Sequence, residues 1–120
     1  MRDENTILNI DEAASKELES IKQAILDTLD VHEIYLFGSF AYGTPNANSD
    51  FDIYVVTPDD SMRPIEAMQK IGKAISRKDI RAVDILVGKL SQFEEQKVLP
   101  SIERRIFRDG VKLYGQDSYN

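Results

Sequence analysis

Three aspartates and a Gly-Ser pair are the residues of this chain best placed to do chemistry. Asp50 and Asp52 flank Phe51 in "SDFDIYVV", Asp84 lies in "VDILV", and Gly38-Ser39 closes the run "HEIYLF". Asp50 and Asp52 are two positions apart in an apolar, β-branched stretch that reads as a strand, so both point to one face. Their Cα atoms are then roughly 6.6 Å apart. Two unit charges at that distance repel by about 2.5 kcal/mol at an effective dielectric of about 20. A neighbouring strand can bring Asp84 to roughly 5 Å from one of them. Such repulsion is best relieved by a proton or a cation. Hard carboxylate oxygens favour Mg²⁺, with Mn²⁺ as the alternative, and Mg²⁺ commonly combines one or two carboxylates with substrate phosphates.

Gly38-Ser39 supplies the complementary half. Glycine after a strand allows close approach of a phosphate, and the N–H groups of a helix start, with the Ser39 hydroxyl, are anion donors. Carboxylates for metal and donors for phosphate suit nucleotidyl transfer, in which two ions stabilise the attacking and leaving oxygens.

The elements that must position these groups follow from periodicity. Asp11 reads as an N-cap, and Ala14, Leu18, Ile21, Ile25 and Leu29 mark a helix over 11–29. "HEIYLF" is a buried strand, "GSFAYG" a strand-to-helix turn with one helical turn behind it, and "TPNANS" a loop. In "DFDIYVV", Phe51, Ile53 and Val55 share one face, and Asp50, Asp52 and Tyr54 the other. Ser61 or Asp60 is expected to cap a helix with Pro64 in its first turn and a buried stripe of Ile65, Met68, Ile71 and Ile75. "IRAVDILVG" is a third strand, with Asp84 opposite the face of Val83, Ile85 and Val87. A last helical stretch over 91–108 is bent or split at Pro100. "DGVKLYG" gives a turn and a fourth strand. The expected architecture is α/β (α+β): one domain over 1–120, a small mixed sheet with helices packed on one face, and frayed ends at 1–9 and 115–120.

Bulk composition agrees with a soluble single domain. The chain has 120 residues, 42% of them apolar and 30% charged. No apolar run is long enough to span a membrane and the N-terminus is too polar for a signal peptide, so the cytoplasm is the expected compartment. Without cysteine there are no disulfides or thiolate zinc sites. With 21 acidic against 15 basic residues, an extended nucleic-acid surface is not expected.

"GSFAYGTPNANSDFD" fits Gly-Ser-x10-Asp-x-Asp, the pattern of the DNA polymerase β-like nucleotidyltransferases. With "VDILV", "RDGVKLYG" and its small size, the chain resembles the minimal nucleotidyltransferase branch from Ile34 onward. The resemblance implies ATP and Mg²⁺ as ligands, two ions being expected. It implies Asp50 and Asp52 as the metal-binding pair and Gly38 and Ser39 as the triphosphate turn. Asp84 would be the third metal ligand and would accept the acceptor's proton. It further implies AMP transfer to a hydroxyl, in some relatives a tyrosine of a HEPN-domain partner silenced in a toxin–antitoxin pair. The rival readings are a small-molecule nucleotidyltransferase and an inactive nucleotide- or partner-binding module. A domain this small has little room for an acceptor pocket, which points to a protein partner or a homo-oligomer with a shared cleft.

The other polar features have blander readings. His32, the sole histidine, reads as a surface residue. Arg77, Lys78 and Arg81 read as a solvated helix end with phosphate contact as the alternative, and Glu103–Arg105 as a helix surface or a partner-facing one.

Overall fold

The computed structural model describes residues 2–3, 12–43 and 50–115. In chain order the elements are β1 (Arg2–Asp3), α1 (Glu12–Thr28), β2 (Glu33–Phe37), α2 (Ser39–Tyr42), β3 (Phe51–Thr57) and α3 (Pro64–Ile75). β4 (Val83–Lys89), α4 (Leu90–Gln96), α5 (Ile102–Asp109) and β5 (Val111–Tyr114) follow. One mixed sheet runs β1-β5-β2-β3-β4. β2 is antiparallel to both β3 and β5, whereas β3 and β4 are parallel and joined through α3. A parallel pair needs such a crossover because a tight turn cannot return the chain to the same end of the sheet.

Alternation sorts the β3 side chains as expected. Phe51, Ile53 and Val55 enter a core with Ile34, Leu36, Val111 and Leu113, closed by Ala14, Leu18, Ile21 and Ile25 of α1 and Ile71 and Ile75 of α3. Val83, Ile85 and Val87 of the edge strand β4 pack against the same core.

Helices also reach the other face. Tyr35, Tyr54 and Val56 form a second cluster with Phe93 of α4 and Ile106 of α5. The expected one-sided arrangement therefore holds for α1, α2 and α3, while α4 and α5 cover part of the opposite face. The reason lies in β3 itself: beyond Asp52 that face continues as Tyr54 and Val56, which are too apolar to leave in water. Phe93 stacks on Tyr35 at 5.5 Å between ring centroids, and the Tyr54 hydroxyl donates to Glu103 at 3.1 Å. The last helical stretch does divide around Pro100, into α4 and α5.

Three local expectations change. The cap of α3 is Arg63, and the Glu66 carboxylate accepts from the Arg63 backbone N–H and from its Nε. Ala67, Ile71 and Ile75 form the buried stripe of α3, and Ile65 is half exposed. At 3.6 residues per turn Ile65 lies about 200° around the helix from Ala67, on the solvent side. Within the segment expected to be frayed, Arg2–Asp3 pairs in parallel with Val111 and Lys112, using the free edge of β5. The Asp11 cap, the "TPNANS" loop and residues 116–120 lie outside the described residues. Among the described residues no helix is long and apolar enough to cross a membrane.

Candidate active site

The site forms where β2 ends and β3 and β4 begin. Phe37 is the register partner of Asp52 across the antiparallel pair, so Gly38 follows directly beside that carboxylate. Gly38 has φ +76°, which only glycine adopts without strain, and a Cβ there would collide with Asp52 Oδ2. Glycine is thus required both by the backbone and by the space that Asp52 occupies.

The turn then enters α2, whose N–H groups of Ala41 and Tyr42 donate to the Gly38 carbonyl at 3.0 and 2.9 Å. The N–H groups of Ser39 and Phe40 come too early in the helix to have an intrahelical acceptor. Buried Phe40 and Ala41 anchor the turn to the core, with Phe40 against Phe51 at 4.6 Å between centroids.

The three aspartates share one end of the sheet as expected. Asp52 and Asp84 are direct register partners on the parallel strands. Asp52 is half buried, while Asp50 and Asp84 are exposed. Burial raises the Asp52 pKa above its ordinary value, and the charges of Asp84 and then Asp50, with a carboxyl–carboxyl contact to Asp84, push it the same way. Among the described residues no three carboxylate or imidazole side chains close into an ion cage. The donor set is therefore a close pair with a third carboxylate nearby, open to oxygens from elsewhere. That matches the needs of Mg²⁺, which keeps a small carboxylate share and completes its octahedron with phosphate and water.

Arg81 does not belong to a solvated helix end. Its backbone N–H and Nε donate to Glu17 Oε1 at 3.0 Å each and its Nη2 to Oε2 at 3.1 Å. Its guanidinium also lies 5.3 Å from the Phe40 ring centroid and 5.0 Å from that of Phe51. Arg81 thus braces the floor under the Gly38-Ser39 turn from α1, a role hidden in the sequence because Glu17 is distant along the chain. Arg77, Lys78 and His32 are exposed as expected.

Sequence reasoning also missed Tyr42. Helical side chains lean toward the N-terminus, so a residue four positions after Gly38 leans back over it. Burial raises the Tyr42 hydroxyl's pKa; Arg105 and the Gly38 backbone oppose the shift, and Asp109 and Asp52 add to it.

Residues 16–113 match the family model described as a nucleotidyltransferase domain. The chain therefore belongs to the nucleotidyltransferase domain family. A 54-residue stretch is 43% identical to the protein adenylyltransferase MntA of Shewanella oneidensis, covering 43% of this chain and 38% of that relative's length. Among solved structures, a mutant of the toxin–antitoxin MntA–HpeT is similar with a TM-score of 0.54 and 27% identity, over 82% of this chain and 73% of the other. A toxin–antitoxin structure with AMP-PNP is similar at a TM-score of 0.51 and 25% identity, again over 82% and 73%.

Proposed function

We propose that this protein transfers AMP from ATP to a hydroxyl of a protein partner, in the cytoplasm, as the antitoxin of a HEPN-type toxin. The observation that carries the reading is the juxtaposition of Asp52 and Asp84 on adjacent strands beside the glycine-enforced turn. The likeness to an adenylyltransferase and to toxin–antitoxin structures, one with an ATP analogue, supports the choice of nucleotide and partner.

In the reaction the acceptor oxygen forms a bond to the α-phosphorus. The bond between that phosphorus and the bridging oxygen to the β-phosphate breaks, and pyrophosphate departs. The acceptor's proton passes to the exposed Asp84 carboxylate and from there to water. Gly38 and Ser39 hold the phosphates against the turn. Asp50, Asp52 and Asp84 would hold Mg²⁺, or Mn²⁺ in its place, which when bound offsets the negative charge of the phosphates. Asp52 orients its oxygens through its place in the β3 ladder, and Phe40 keeps the turn from shifting as the ligand arrives.

The test uses ATP labelled on the α-phosphate, incubated with the protein alone and with the protein encoded beside it. Label is expected on the partner, through a hydroxyl, and is lost with EDTA or in Asp52→Asn. Label on a small hydroxyl compound alone would turn the reading to a small-molecule acceptor. Tight Mg-ATP binding without any transfer would turn it to a binding module.

A further inference from the structure

α5 carries cations to Tyr42, the last residue of the helix that Gly38-Ser39 opens. The Arg105 guanidinium lies over the Tyr42 ring, 4.2 Å from its centroid, and its Nε meets Asp109 Oδ2 at 3.0 Å. Arg108 reaches the same Asp109 oxygen at 3.4 Å. Tyr42, Arg105, Arg108 and Asp109 line a cavity of about 360 Å³. Tyr42 is the last residue of α2, so this cavity adjoins the helix that the Gly38-Ser39 turn opens.

Charge gives the cavity its meaning. The segment "GSFAYG" holds no lysine or arginine, and the aspartates on its other side add to the negative charge of a nucleoside triphosphate. Arg81 is committed to Glu17 beneath the turn. The cations that α5 delivers are guanidiniums, whose planar fork matches two phosphate oxygens at once. Stacking on Tyr42 fixes the plane of Arg105, and Asp109 holds both arginines on one side. Both remain more than half exposed, at 54% and 61% of their side-chain surface, so an incoming anion can reach them.

We propose that Arg105 and Arg108, set by Tyr42 and Asp109, bind the β- and γ-phosphates of the nucleotide and then the pyrophosphate product. The inference rests on the nucleotidyl-transfer reading above. It assigns the polyphosphate to a clamp between α2 and α5.

The experiment measures binding of AMP-PNP, tripolyphosphate and AMP to the full chain with Mg²⁺, by calorimetry or competition. Arg105→Ala is expected to weaken AMP-PNP and tripolyphosphate about tenfold or more and to leave AMP within about twofold. Arg108→Ala is expected to act in the same direction to a smaller degree, and Arg105→Lys to fall between Arg105→Ala and the native protein. Circular dichroism checks each fold, and Arg105→Lys carries the test if the alanine variant does not fold. Unchanged AMP-PNP affinity, or an equal loss for AMP, overturns the clamp. Unchanged AMP-PNP affinity with transfer to the partner lost overturns it in favour of an acceptor contact. A native protein that binds neither AMP-PNP nor tripolyphosphate overturns the nucleotidyltransferase reading as well, which variant results alone would not do.

Discussion

Glu17 and Asp52 are both partly buried carboxylates, yet their surroundings are opposite. Hydrogen bonds from Arg81, side chain first and then backbone, lower the Glu17 pKa from its ordinary value. Asp52 is raised by burial and by two neighbouring aspartates. The first arrangement lowers the energy of the folded chain; the second raises it. A carboxylate kept for stability acquires a cation from the protein, as Glu33 does from Lys112 at 2.9 Å. In the proposed reading, one kept among like charges is offset by a cation from outside.

Substitutions should separate the two regions. The largest effect is expected for Asp52→Asn, which should lower nucleotidyl transfer about a thousandfold or more while melting no lower than the native protein. Steady-state transfer and thermal melts check both halves. Gly38→Ala comes next: the new methyl group meets Asp52 Oδ2, and turnover should fall roughly a hundredfold as that carboxylate shifts.

In the structural region the expected loss is of stability rather than activity. Arg81→Ala removes the Glu17 pair and the contact with two rings, and should cost about 2–3 kcal/mol in urea unfolding, with transfer per folded molecule falling far less than in Asp52→Asn. The pH dependence has a definite sign. The Glu17 contribution is full above that carboxyl's ordinary value of 4.5 and is lost as pH falls through its lowered folded value. The stability gap between native protein and Glu17→Gln should therefore close on acidification. Asp52 runs the other way: its penalty grows as pH rises from 3.8 through the raised folded value. The smallest effect is a rise in melting temperature of a few degrees with millimolar Mg²⁺ at neutral pH, absent in Asp52→Asn.

Much of the site was legible because it depends on short-range rules. Period-2 alternation placed Asp50 and Asp52 on the face opposite Phe51, Ile53 and Val55, and the same rule oriented Asp84. Gly38-Ser39 was readable as a strand-to-helix turn from its neighbours alone. What stayed hidden depends on packing between distant segments. Arg81 looked solvated because nothing in "SRKDIR" indicates that Glu17 of α1 will meet it. Arg105 looked like helix surface because its contact with Tyr42 arises only when α5 settles on the second face. A signal for that covering did exist, in the change from aspartate to Tyr54 and Val56 along one face of β3. The half of that face carrying carboxylates stays open, and the apolar half is sealed by α4 and α5.

The most direct measurement is Mn²⁺ binding followed by electron paramagnetic resonance, with and without AMP-PNP, in the native protein and in Asp52→Asn. The account predicts weak Mn²⁺ binding to the protein alone, a marked gain when AMP-PNP is present beyond that of the nucleotide in solution, and loss of that gain in the variant. Equal Mn²⁺ binding by the native protein and Asp52→Asn in the presence of AMP-PNP would contradict the assignment of these aspartates as ligands for a nucleotide-borne cation.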